Sequence, residues 1–354
     1  MKNKILLLFV LAFIFQANNI FSQGCETDGP TTDNDSINAK KIIIFGYLQP
    51  EFNYTLSDPP ESSFGFRRAR IGVRGKVFED FSYYFMLEAS PFIGGVGSAY
   101  LMDAFVAWEK FNWMRIAVGS FKQPFGREVS TACFALTTID RAIVSDQLVS
   151  PQRDYGLMFL GGSKYTRFTY AVAVMNGRGL NVKDNNNKKD FVARGTYRFH
   201  KVLSVGASFR FGYPNYDQPP TEGFKNTRTT VGGDILLTFN NLHIQGEYIY
   251  DEGDYNRAAG GGCGSEPMLL GKRRDGAYGM IWYDTKINLQ PVFKYEYFDQ
   301  DLDIKEIGYQ ERMTIGLNYF FNEHVRVQLN YQANIETFIN IDNDKFLAQI
   351  QYKF

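Results

Sequence analysis

Long hydrophobic runs are missing from this chain. Past Phe15 nothing approaches the ~20 consecutive apolar residues that a spanning helix needs, and the mean hydropathy is −0.27. A bundle of transmembrane helices is therefore excluded. Net charge is missing as well: 38 Lys and Arg balance 38 Asp and Glu. That balance argues against nucleic acid as a partner, because its binders carry a basic excess. The three cysteines, Cys25, Cys133 and Cys263, are too few and too scattered for a disulfide framework, although Cys133 and Cys263 could pair. Histidines are equally scarce. His200, His243 and His324 stand apart from any activated nucleophile. Gly94-Gly95-Val96-Gly97 precedes no helix and so is no nucleotide fingerprint. The acidic stretches read as solvated loops. The expectation is a protein with no catalytic residues, no metal site and no cofactor.

Aromatics and glycine are abundant: 32 Phe, 22 Tyr and 33 Gly, without helical periodicity. That mixture points to an all-β chain. The stretch from Phe64 to Ala89 makes the point. Ala69, Ile71, Val73, Gly75 and Val77 alternate with Arg68, Arg70, Gly72, Arg74 and Lys76. Then Phe81, Tyr83, Phe85, Leu87 and Ala89 alternate with Ser82, Tyr84, Met86 and Glu88. A period of two puts successive side chains on opposite faces of a strand. Only Phe78-Glu79-Asp80 interrupts it, so the stretch reads as a hairpin. With a three-residue turn Val77 pairs with Phe81 and the two apolar faces coincide. Such a ribbon wants hydrocarbon on one side and water on the other.

From Lys41 onward about 16 such runs of roughly ten residues follow, the length of a tilted membrane strand. Connections alternate. Short turns such as His200-Lys201, Asn240-Asn241 and Asn322-Glu323 fall between longer loops such as Gln123–Arg153, Tyr213–Asn226 and Glu252–Asp275. One smooth rim and one ragged rim describe an up-and-down meander. Charges on the polar faces would cost ~2–4 kcal/mol each at the middle of a bilayer. The polar faces must then look into water, and the sheet must close, since an open edge in lipid leaves backbone groups unpaired. The fold class expected is a closed antiparallel transmembrane β-barrel of about 16 strands. Residues 1–23 read as a signal peptide, with Lys2 and Lys4 before the apolar core Ile5 to Phe15, residues 24–40 as a flexible segment, and 41–354 as the barrel. Export and a barrel together place the chain in the outer membrane, with membrane lipid as its surroundings. The terminal pattern Phe346, Ala348, Ile350, Tyr352, Phe354 resembles the signal read by the barrel-assembly machinery.

A wide barrel leaves an aqueous channel, and rings of Arg or Lys favour anions. Arg68, Arg70, Arg74 and Lys76 form a ladder at about 7 Å per two-residue step, suited to small anionic solutes. Glu88, Asp103 and Glu109 on the next strands could instead set up a transverse field.

Two segments carry a family resemblance: FRRARIGVRGKVFEDFSYYFMLEASP (Phe66 to Pro91) and VGSFKQPFGREVSTACFALTTIDRAIVSDQLVSPQRDYGLMFLGG (Val118 to Gly162). Both resemble the phosphate-selective porin O/P family of Gram-negative bacteria. The resemblance implies a 16-stranded barrel, commonly a homotrimer, whose third outer loop folds inward to narrow the pore. Residues 123–153 have the right position for that loop, and Lys122, Arg127, Arg141 and Arg153 would add charge at the narrow point. The loop lacks a dense lysine cluster. The function this implies is passive diffusion of small solutes with an anion preference. The competing expectation is a plugged structural or binding barrel in an envelope complex.

Overall fold

Alternation along the chain becomes a ring of strands. The computed structural model describes residues 42–95, 97–163, 165–180, 182–184, 186–214, 226–255, 268–304, 308–336 and 342–354. Within them run β1 (Ile43–Thr55), β2 (Glu61–Phe78), β3 (Phe81–Glu88), β4 (Tyr100–Phe111), β5 (Met114–Lys122), β6 (Arg153–Gly161), β7 (Phe168–Met175) and β8 (Asp190–Arg198). They continue with β9 (Leu203–Gly212), β10 (Arg228–Phe239), β11 (Leu242–Gly253), β12 (Arg273–Tyr283), β13 (Leu289–Asp299), β14 (Tyr309–Phe320), β15 (Val325–Glu336) and β16 (Lys345–Lys353). Each pairs antiparallel with its sequence neighbours, and β1 pairs with β16, so the sheet closes into a 16-strand barrel. The seam is sealed where Gly46 and Phe354 exchange two backbone hydrogen bonds of 3.0 Å. The expected signal peptide, the 24–40 segment, Cys25 and Cys263 lie outside the described residues. Cys133 is buried.

Every strand sorts its side chains as the sequence does. On β11 His243, Gln245, Glu247, Ile249 and Asp251 are buried, while Ile244 and Tyr248 are exposed. On β14 Thr314 and Asn318 are buried against exposed Ile315, Leu317 and Tyr319. At the short-turn rim the exposed face carries Phe78, Phe81, Trp113, Phe199, Phe239, Tyr283, Phe321 and Phe354, the aromatic girdle of an interfacial zone. Among the described residues no helix is long and apolar enough to cross a membrane. Strands carry most of the exposed large apolar residues.

The β2–β3 hairpin corrects one detail. Its register holds as expected from Arg70 opposite Glu88 to Lys76 opposite Ser82. The turn, however, is two residues, because Phe78 and not Val77 faces Phe81. Val77 is bulged out of the ladder, which lets a tight Glu79-Asp80 turn close the ribbon while both apolar faces stay together. The connection from β3 to β4 holds α1 (Ser90–Ile93), a single helical turn beside β2.

The 123–152 stretch between β5 and β6 is built from α2 (Arg127–Ser130), a 3₁₀ turn (Cys133–Ala135) and α3 (Ile143–Leu148). Its apolar residues Phe125, Val129, Ile143, Val144, Leu148 and Val149 form one cluster with buried-face residues Met158, Leu160, Met175, Ile249, Met280, Trp282 and Phe298. Burying each side chain of that size is worth about 1.5–3 kcal/mol. This corrects the expectation that every inward face is polar. Met158 and Leu160 on β6, Met175 on β7 and Met280 and Trp282 on β12 are the inward apolar residues of this cluster, and α3 packs against β11, β12 and β13. Gly276 marks a close approach: a Cβ there would fall 2.9 Å from Val144 Cβ.

Candidate functional site

Polar side chains on the inward face of the barrel reach the 123–152 segment from many strands, and mostly they reach its backbone. Arg326 of β15 donates to the Leu136 carbonyl at 3.0 Å, and Asn318 of β14 to the Thr137 carbonyl at 2.8 Å. Lys294 of β13 donates to the Asp140 carbonyl at 3.1 Å. Arg228 of β10 donates to the Ser150 and Leu148 carbonyls at 2.9 and 2.6 Å. Acceptors serve the segment's amides: Asn330 takes the Ile139 N–H at 2.8 Å, and Glu296 the Ile143 N–H at 3.2 Å. A backbone buried against these strands would otherwise leave such groups unsatisfied. Asp140 adds an ion pair with Arg67 of β2. Burial alone would raise its carboxyl, but Arg67, Arg312 and Lys294 hold it well below the usual carboxylate range.

The sequence-predicted basic residues do converge on this interior, yet they differ in how fully they are engaged. Arg70 is 1% exposed. Its guanidinium binds Glu88 at 2.6 Å and reaches the Tyr47 hydroxyl and the Cys133 thiol. Arg68 is equally buried and donates to Gln49 at 2.9 Å. Arg74 is half-buried, 5.6 Å above the Phe45 ring, and Lys76 is half-buried toward the short-turn rim. The four-rung ladder therefore splits into a bonded upper pair and a more open lower pair. In the segment, Arg127 binds Asp234 at 2.7 Å. Arg153 binds Asp103 at 3.0 Å. Arg141 donates to the carbonyls of Glu128 and Thr131 and to Cys133 Sγ. Lys122 donates to the Thr131 carbonyl at 3.4 Å.

Sequence reasoning did not single out a second basic group at the long-loop end. Arg228 and Arg274 share the carboxylate of Asp251, all three nearly without solvent contact. Arg210 lies alongside and donates to the Ser150 carbonyl at 3.1 Å. Alternation on β9, β10 and β12 places all three arginines inward, so the signal was present in each strand separately. Their grouping depends on the register between strands. A row of hydrogen bonds crosses the seam as well, with two arginines at its ends: Arg326 to Gln351, Gln49 to Gln351 and Arg68 to Gln49, at 3.0, 2.7 and 2.9 Å. Taken over the described residues, the buried set holds twelve Lys and Arg against nine Asp and Glu. The full chain is neutral, whereas this buried set has three more basic than acidic residues. Among the described residues no group of three His, Cys, Asp or Glu could hold a metal ion.

Comparison with known proteins agrees with this geometry. A family model described as phosphate-selective porin O and P matches residues 51–218. Porin O of Pseudomonas aeruginosa is 24% identical over 291 residues, covering 77% of this chain and 63% of that protein. The chain thus matches less than two thirds of that curated relative's length. Among solved structures, the outer membrane channel DcaP of Acinetobacter baumannii aligns with a TM-score of 0.64 at 12% identity, over 89% of this chain and 97% of its own. The anion-selective porin from Comamonas acidovorans aligns at 0.59 and 11% identity, over 89% and 99%. OmpF of Salmonella typhi aligns at 0.65 and 13%, over 89% and 98%. These structural likenesses concern the fold. The chain is thus similar to the phosphate-selective porin O and P family over residues 51–218, and it shares the closed 16-strand ring with the aligned structures.

Proposed function

We propose that this protein is an outer-membrane porin that lets small solutes diffuse passively, with a preference for anions of the phosphate type. The observation that carries the preference is the positive excess of the buried set in a chain that is neutral overall. Cations lining a narrow aqueous path raise the local concentration of anions. In this reading residues 123–153 are the third outer loop, folded into the lumen. Its support is the hydrogen bonding of segment backbone to inward side chains of β10, β13, β14 and β15. Arg74 and Lys76 are the open rungs of the anion pathway, and Arg68 and Arg70 shape it from behind. Lys122, Arg127, Arg141 and Arg153 act at the constriction, where their partners fix the loop as much as they attract solute.

The remaining parts of the proposal concern surroundings. An N-terminal signal directs export, the C-terminal strand ending in Phe354 is read by the assembly machinery, and three copies associate in the membrane. One related protein is described in a trimer form. A second reading keeps some support. Arg68, Arg70, Arg153, Arg274 and Lys294 are all nearly inaccessible, as they would be in a barrel plugged for a structural role. Planar-bilayer recording separates the two: an open porin gives discrete steps, and a plugged barrel gives none. Reversal potentials in chloride and then phosphate gradients test the anion preference. A cation-selective potential in both salts would refute it.

A further inference from the structure

Outside the basic groups, one buried acid stands out. Glu247 of β11 points inward and carries the first turn of the 123–152 segment. It accepts the Arg127 backbone N–H at 2.9 Å on Oε1. Its Oε2 accepts the Glu128 N–H at 3.0 Å and the Tyr278 hydroxyl at 3.2 Å. Both oxygens are thus used as acceptors, and all three donors are neutral groups. Gly126 lets the backbone descend onto it: its φ is +68°, and a Cβ there would sit 2.2 Å from Glu247 Oε1. Its own N–H goes to Ser208 Oγ at 3.0 Å.

The charges around Glu247 come from every side. The segment brings Arg127 and Glu128, β10 brings Asp234, and β8 brings Arg194. From β12 comes the Tyr278 phenol, and from β13 Lys294 and Glu296 flank Glu128. Arg127 and Arg194 both direct their guanidinium groups to Asp234, at 2.7 and 2.6 Å. Glu247 therefore sits with two other carboxylates while the two arginines turn to one of those. A carboxylate offers acceptors to all three donors. Once protonated, one of its oxygens becomes a donor pointing at a donor, and part of the anchorage is lost.

We propose that Glu247 is the positioning residue of the segment, holding its first turn to the wall when ionised and releasing it when protonated. The proposal rests on the porin reading, since the released turn must lie in a conduction path to matter. Acid then loosens the segment at α2 while Asp140, held ionised by its basic neighbours, keeps the segment's middle in place.

The test is single-channel recording of the full barrel from about pH 8 to about pH 4, a range spanning carboxylate titration. Wild-type protein should show brief closures that become roughly tenfold more frequent on acidification, the change expected for loss of about one strong anchoring bond. Glu247→Gln should flicker at every pH with a flat profile, because its amide cannot accept at both ends. Glu247→Asp should restore the pH dependence. Tyr278→Phe, which removes one donor to the charged form, should move the acid transition to higher pH. A quiet Glu247→Gln channel, or one with the wild-type profile, overturns the proposal. Should Glu247→Gln give no folded barrel, an unmoved transition in Tyr278→Phe overturns it instead. Steps that ignore all three variants sink only this proposal, whereas wild-type protein without steps sinks the porin reading and this inference with it.

Discussion

Neutralising or reversing two neighbouring rungs of β2 should have opposite consequences. Arg74 is half-buried and holds the Phe45 ring face. An ion passing about 4 Å away gains ~1 kcal/mol at the dielectric of water and ~4 kcal/mol at an effective value of 20. The half-open position puts Arg74 near the lower figure. Arg74→Glu reverses the sign, so the local change is about 2 kcal/mol, roughly thirtyfold in occupancy of that point. The other inward cations remain, so the permeability ratio should move toward cations by only a fewfold. Arg70 is different. It is bonded to Glu88, Tyr47 and Cys133, and its charge is largely matched. Arg70→Gln strands the Glu88 carboxylate and should cost about 3–5 kcal/mol of barrel stability, with little effect on selectivity. The assay is the zero-current potential across a bilayer in a salt gradient, kept below about 0.1 M so that screening over ~10 Å does not hide the effect. A urea midpoint for each folded barrel accompanies it. An unchanged potential in Arg74→Glu refutes the reasoning, as does a larger shift in Arg70→Gln than in Arg74→Glu.

Other substitutions follow from the same contacts. Asp251→Asn leaves Arg228 and Arg274 without their shared carboxylate and should lower stability by about 3–5 kcal/mol, read as a fall in the urea midpoint. Asp140 is held below the ordinary carboxylate range, so its contribution to docking is complete above about pH 4 and fades only as pH falls through the lowered value. Protease cleavage between Leu136 and Ala142 should therefore be no faster at pH 5 than at pH 7.5, both above the ordinary carboxylate range, and faster at both in Asp140→Asn. Gly276→Ala would set a Cβ against Val144 and the Tyr297 carbonyl and should unseat α3, seen as cleavage within Ile143–Leu148. Phe354→Ser removes an exposed aromatic that stacks on Tyr352 and should reduce the yield of assembled barrel in the outer membrane without altering the conductance of what does assemble.

Strand number and inward faces were legible because two solvents impose a period of two on every strand. The pairing of Arg70 with Glu88 could be read as well, since a short turn fixes the hairpin register. The bulge at Val77 could not, because Phe78 and Val77 are equally apolar and either can face Phe81. The fate of the segment was harder. Phe125, Val129, Val144 and Leu148 follow no alternation, and nothing local says that Met158, Leu160 and Met175 receive them. Nor does the sequence around Glu247 mention Gly126, which lies more than a hundred residues away along the chain. Contacts between a segment and a distant wall are settled by the closure of the ring, and closure is a property of all sixteen strands together.

Wall side chains grip the segment chiefly by its peptide groups: the carbonyls of Leu136, Thr137, Asp140, Leu148 and Ser150 and the amides of Arg127, Ile139 and Ile143. Peptide groups are the same whatever residue bears them. The wall's hold on those carbonyls and amides is thus indifferent to the side chains beside them, so the same frame would accept another insert that keeps this backbone path and the apolar residues of the cluster.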